Sequence, residues 1–302
     1  AKPRVAVTRS PLAASVDLGA AVQAAAIEGS KDAEDVMDMS LEMVDIDALD
    51  TGRYHAMVIQ DPNDKRNIQG FFYMYVGFSK MGHSRGLPGL YYERPSAFPN
   101  LMEFLNQRTD IRAKFAGHLF FSDDEIMKAP FLYTSVDAHR PGPFEITISE
   151  AENLHSYMQR GGFWFVEDAW PEMGGVSDRT ARRMIIDAFN AGGMSKGRDW
   201  EYQDIPKSHP INHCYYDFDD GPPTGLDVFM RTPHVPYPIR MVEIDGRVWC
   251  IMSNKDYEDI WSQQCWDNSD PTRQYMFGVN LIVFSLTQEG GITHRLMASV
   301  QY

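Results

Sequence analysis

The chain is poor in cysteine, in basic residues and in long apolar runs, and each shortage removes a class of protein. Only Cys214, Cys250 and Cys265 stand among its 302 residues. So few do not make a disulfide framework; one bridge with a spare thiol is the most they offer, and the redox compartment stays open. Lys and Arg number 28 against 42 Asp and Glu, a formal net charge of -14 at pH 7. An acidic surface repels phosphate backbones, so nucleic-acid binding would need a local basic patch. The densest cluster, Arg179, Arg182 and Arg183, reads as one solvated helix face. No stretch approaches the roughly 18 apolar residues that span a bilayer. Gly19, Gly29, Gly77, Gly82, Gly86 and Gly89 form neither a Gly-x-Gly-x-x-Gly nor a Walker pattern, so a nucleotide-cradling loop is not expected. Repeats and low-complexity linkers are absent too.

What is present suits a globular protein. Hydrophobic residues make up 43% and aromatics 12%, enough for a sizeable buried core. The opening Ala1-Lys2-Pro3-Arg4 fits the mature side of a signal-peptidase cut. A periplasmic or otherwise exported location is therefore expected, with the cytoplasm as the alternative.

Along the chain, residues 4–8 suggest a short strand. Residues 13–27 and 32–50 suggest two helices, the second strongly acidic. Residues 54–60 read as a buried strand stopped at Asp61-Pro-Asn-Asp64. Residues 70–92 crowd Phe71, Phe72, Tyr73, Tyr75, Phe78, Tyr91 and Tyr92 between glycines. That pattern fits either strands in a core or an aromatic surface that docks on a partner. Residues 100–109 suggest a helix capped by Asn100. Thereafter strands and helices alternate: a strand at 131–135, a helix to 160 opened by a Ser149–Glu152 capping box, and a strand at 163–166 ending in Glu167-Asp168. A helix at 178–190, a strand at 248–253 and a long apolar element at 276–286 follow. This rhythm predicts a mostly parallel sheet with helices on both faces.

Five segments then stand in a recognisable order: Ala129-Pro-Phe-Leu-Tyr133, Gly161-Gly-Phe-Trp-Phe-Val-Glu-Asp168, His209-Pro-Ile-Asn-His213, Asp245-Gly-Arg-Val248 leading to Ser253-Asn-Lys-Asp256, and Gly278-Val-Asn-Leu-Ile-Val-Phe284. On these, residues of about 100–287 resemble a bacterial domain-of-unknown-function family, number 4159. That family is similar to the class I glutamine-amidotransferase and ThuA-like folds. The resemblance implies a flavodoxin-like three-layer sandwich over residues 100–302. Residues 1–99 would be an aromatic-rich elaboration packed on the same sheet. The family's Thr-Gly-His-Gly-like turn is replaced here by Thr134-Ser135-Val136-Asp137, which removes a glycine-lined turn and its histidine.

Several chemistries can be weighed. A glutamine-amidotransferase nucleophile is a Cys on a strand-to-helix elbow beside a His; Cys214, Cys250 and Cys265 do not fit, and no serine-hydrolase elbow is expected. His209, His213 and Cys214 carry ligand types suited to zinc, but Pro210 opposes a regular helix there, and two structural histidines around a tight turn explain them as well. Glu167 and Asp168 end a central strand, where open α/β sheets bind ligands, and they could hold a cation or share a proton. A helix cap is the plainer role. Asp256 approaches the same edge and also suits a turn. The one plausible pocket is therefore Glu167, Asp168, His209, His213 and Asp256. The resulting expectation is a non-catalytic accessory protein with no cofactor or metal, acting by protein–protein contact, plausibly as a peripheral subunit of a membrane complex. The alternative is a metal-dependent hydrolase or small-ligand-binding protein using those carboxylates and histidines.

Overall fold

The computed structural model describes residues 50–80, 94–136, 145–168, 175–226, 237–263 and 270–300. The expected strand at 4–8, the expected helix at 13–27, all but the last residue of the expected helix at 32–50, and Tyr91, Tyr92, Asp137 and Cys265 lie outside them.

One mixed sheet organises the described chain. Strands β1 (Ala56–Gln60), β2 (Ile68–Phe78), β3 (Asp110–Phe120), β4 (Phe131–Val136), β5 (Phe163–Asp168), β6 (Gln203–Asp204), β7 (Arg240–Ile244) and β8 (Arg247–Ser253) run β1-β2-β4-β5-β8-β7-β6, with β3 paired to β2. Residues 69–72 of β2 bond both β1 and β3, and Tyr75 and Val76 bond both β3 and β4. A strand has two edges, so β1 and β4 share one and β3 takes the other. Strands β3, β2, β4, β5 and β8 are mutually parallel; β1, β6 and β7 join antiparallel. Strands before and after residue 100 thus share one sheet.

Helices cover both faces, as the alternation of the central strands requires. In β4 and β5, Phe131, Tyr133, Phe163 and Phe165 pack into one core, while Leu132, Val136, Trp164 and Val166 pack into the other. The first core is closed by α1 (Ala97–Arg108), α4 (Tyr257–Trp261) and α5 (Thr272–Thr287); the second by α2 (Ile148–Gln159) and α3 (Val176–Ala191). Helix α3 buries Ala181, Met184, Ile185, Ala188 and Phe189, the i, i+3, i+4, i+7, i+8 stripe of a one-sided helix. Helix α5 is buried almost all round and reads in sequence as one apolar run. A last helix, α6 (Ile292–Val300), follows the Gly290-Gly291 turn.

Some expectations shift. Helix α1 begins at Ala97, with Ser96 at its cap position; Asn100 instead donates from Nδ2 to Trp261 O at 3.0 Å. The capping box of α2 is Thr147 with Glu150, two residues before the expected Ser149–Glu152 pair. Glu150 is buried and also accepts from Ser79 Oγ (2.8 Å) and Lys80 N (2.6 Å), so tertiary bonds decide between two equivalent local motifs. Phe71 and Phe72 are core residues rather than a partner surface: at 1% and 0% exposure they are buried on opposite faces of an interior strand. Tyr73, Tyr75 and Phe78 are half-buried, engaged respectively with Asp50, with the His55 ring (4.7 Å) and with the Phe120 ring (4.4 Å). Strand β3 is not among the elements the sequence suggests. Its Ile111 and Ala113 alternate with charged neighbours, and only pairing with β2 shows the strand's length.

Candidate functional site

Register brings three polar side chains into one row. Ser135 of β4 pairs with Glu167 of β5, and Glu167 with Ser253 of β8. In parallel strands paired residues face the same way, so the row lies on one side of the sheet, with Tyr133 two residues back on the same side. These are the carboxyl ends of the central parallel strands. Beyond Ser253 the chain turns through Asn254, Lys255 and Asp256, and α4 carries Glu258 and Asp259 back over the row.

Glu167 is fully buried and well supplied with donors. Its Oε1 accepts from Ser253 Oγ at 2.9 Å; its Oε2 accepts from Glu258 N at 3.1 Å and faces Tyr133 Oη at 3.0 Å. Burial pushes its carboxyl up to about 7, and these donors pull the other way. Glu258, also fully buried, accepts from Arg94 N at Oε1 and faces Tyr133 Oη at 3.0 Å through Oε2. Burial holds its carboxyl well above the usual range. Asp259 forms an ion pair with the Arg94 guanidinium.

Asp256 is the unusual member. It is 2% exposed, its backbone is left-handed at φ 54°, and its Oδ1 has no hydrogen-bond partner. It occupies the cap position of α4 without capping it. Burial, then the charges of Asp259, Glu167, Glu258 and Asp168, raise its carboxyl far above normal. Non-glycine residues in the left-handed region are strained and concentrate at functional sites.

Asp168 points to the opposite side of the sheet. Asn254 Nδ2 donates to its Oδ2 at 2.8 Å and to Asp178 Oδ1 at 3.3 Å, and Asp178 holds Arg182 in a two-bond ion pair. Neither Glu167 nor Asp168 caps the next helix, because α3 starts eight residues after Asp168, behind Gly175.

The two histidines do not join this group. His209 Nδ1 accepts from Ile211 N at 3.2 Å and so caps the single turn Pro210–Asn212. Its ring packs 5.4 Å from Phe284, which lies 6.1 Å from Phe163 at the start of β5. Glu167 is four residues further, roughly 13 Å at the rise of a strand. His213 Nε2 meets Lys207 O at 2.9 Å, and its Nδ1 lies 3.2 Å from Asp217. Both histidines therefore hold a turn at the amino end of the strands. The expected five-residue pocket resolves into Glu167 and Asp256 on one face, Asp168 behind the sheet and His209 and His213 at its other end. Among the described residues no group of three or more His, Cys, Asp or Glu side chains is disposed to hold a metal ion.

No elbow nucleophile appears among the described residues. Cys250 lies inside β8, and burial pushes the Cys214 thiol up to about 12 while it donates to Asn280 O. Gly193-Met-Ser195-Lys-Gly197 does fit the Gly-x-Ser-x-Gly spacing. It follows helix α3, not a strand, and Ser195 N is tied to Asp199 at 2.7 Å, so it is a helix-ending turn. Tyr133, Ser253, Glu258 and Asp259 were missed as site residues. Tyr133 and Ser253 sat inside noted motifs, but an apolar strand context hid their chemistry. Glu258 and Asp259 fall outside every element the sequence suggests.

Fold and site together define a three-layer α/β protein with a buried acidic cluster at the carboxyl edge of its sheet. Residues 80–286 match the family described as Domain of unknown function (DUF4159), more than half of the chain, and the chain belongs to that family. No curated protein matches it.

Proposed function

We propose that this chain is a small-ligand-binding protein whose site, at the carboxyl ends of β4, β5 and β8, takes the cationic, hydrogen-bond-donating group of an organic ligand. We also assign it a flavodoxin-like, amidotransferase-related architecture. In chain order the parallel strands stand 2-1-3-4-5, which supports that assignment, and such sheets bind ligands beyond their carboxyl ends. The observation that carries the ligand reading is Asp256, a buried carboxyl with an unpartnered oxygen beside four other acids. Leaving such a group uncompensated costs several kcal/mol. An ammonium or guanidinium would supply both the charge and the donors.

A bare divalent ion fits less well. Glu167 and Glu258 already spend their oxygens on Ser253, Tyr133, Arg94 N and Glu258 N, and a metal would have to displace these bonds. The accessory role suggested by the sequence leaned on the aromatic segment, and the burial of Phe71 and Phe72 takes away part of that support.

Thermal-shift titration with ethylamine, 1,4-diaminobutane and methylguanidine tests the reading. The expected outcome is a saturable rise in melting temperature for at least one of them, absent in Asp256→Asn. No saturable rise with any, or an equal rise in the variant, would overturn it.

A further inference from the structure

Tyr133 lies between two buried carboxyl groups. Its Oη carries one hydrogen, yet it lies 3.0 Å from Glu167 Oε2 and 3.0 Å from Glu258 Oε2. One hydrogen serves one acceptor. The second contact is between two oxygens and needs a hydrogen of its own, which has to sit on a carboxyl group. All three side chains are fully buried, so bulk water is not there to supply it.

The two carboxyls are not equivalent. Glu167 accepts from Ser253 Oγ and Glu258 N in addition to Tyr133. Glu258 accepts from Arg94 N, and the Ser135 hydroxyl also favours its ionised form; Glu167 has the Tyr257 amide besides and keeps the larger set of donors. Donors stabilise the ionised form, so Glu167 is the better anion and Glu258 the better acid. Surrounding groups agree. Asp256 on its own segment and Glu167 on β5 bring acidic groups toward Glu258, while the Arg94 guanidinium is committed to Asp259.

We infer that Glu258, Tyr133 and Glu167 form a buried proton relay, in which a neutral Glu258 donates to Tyr133 Oη and Tyr133 donates to an ionised Glu167, and that a cationic ligand binds in exchange for the relay's proton. The relay spans β4, β5 and α4, so it links the strand row to the helix laid over it. When a cation arrives, the cluster gains a positive charge and Glu258 loses its proton, leaving the net charge of the site unchanged. The exchange rests on the ligand reading above; the location of the proton does not.

Two measurements separate them. The first is carbon NMR on ligand-free protein labelled at Glu Cδ, at about pH 8.5, above the range in which Glu167 itself takes up a proton. One glutamate resonance is expected at the neutral-acid position, lost in Glu258→Gln, whose amide can donate to Tyr133 and accept from Arg94 N as the acid does. A spectrum without a neutral glutamate, or one whose neutral signal survives Glu258→Gln, would overturn the relay. The second is calorimetric titration with methylguanidine in two buffers of different ionisation enthalpy. The expected result is release of about one proton per bound ligand that is lost in Glu258→Gln, with affinity rising about tenfold per pH unit while the relay is protonated; release that persists in Glu258→Gln would overturn the exchange. Binding without proton release would overturn the exchange and leave the ligand reading standing. Absence of binding would remove the ligand reading, and the NMR result would still decide the relay.

Discussion

Glu167 has a stability signature that follows from where it sits. Its carboxyl titrates near 7 in the folded protein and near 4.3 in an unfolded chain. The raised value means that the folded state binds the proton more tightly. Its contribution is therefore fully present below about pH 4, is lost as pH rises toward 7, and is flat above. The loss amounts to about 4 kcal/mol, and Asp256, Glu258 and Asp259, all raised by burial, act with the same sign. Burial lowers His55, His155 and His209, which act with the opposite sign over the same range, so the comparison is between variants: in urea denaturation between about pH 4.5 and 7, Glu167→Gln should gain stability relative to the unsubstituted protein as pH rises, and a difference that does not change with pH would contradict the assignment. Asp256→Asn should stabilise the ligand-free protein by about 1–2 kcal/mol. It replaces a carboxyl that has to take up a proton on burial with a neutral amide, and places a residue tolerant of the left-handed region where that conformation is required. Equilibrium denaturation of the two proteins decides this, and a less stable variant would mean that Asp256 is structurally compensated.

Among the elements, α5 and the turn at Pro210–Asn212 are tied by one side chain. Asn280 accepts from Tyr216 N at 2.8 Å and donates to Ile211 O at 2.9 Å and Tyr216 O at 2.8 Å. Asn280→Ala strands buried backbone groups and should cost about 3 kcal/mol or more, read from the urea midpoint at unchanged slope. His209→Ala should lower stability modestly and leave ligand binding intact, because the turn lies at the far end of β5 from Glu167; loss of binding in that variant would return the histidines to the site. The elements differ in how far the sequence betrays them. Strands β4, β5 and β8 and helices α3 and α5 are legible because their apolar runs or stripes follow directly from two-sided or one-sided burial. The site was legible at Glu167, since a charged pair ending an apolar strand is a local signal. Its partners were not. Tyr133 reads as core until β4 and β5 are set in register, and Glu258 becomes interior only because α4 folds back across the row. The histidine pair misled for the opposite reason, as neighbours in sequence and ligand type stand at the wrong end of the sheet.

For the whole molecule, a net charge of -14 and an acidic interior cluster point the same way. A negative potential draws small cations toward the protein, and raising ionic strength should weaken methylguanidine binding through screening of the surface term. Asp256 and its neighbours, on this reading, await a cationic group. The decisive measurement is a high-resolution crystal structure grown with methylguanidine. Density for the guanidinium is expected within hydrogen-bond distance of Asp256 Oδ1, about 3 Å, at the carboxyl ends of β5 and β8. A site left empty at saturating methylguanidine, or an Asp256 Oδ1 already bonded to a cation of the chain itself, would contradict it.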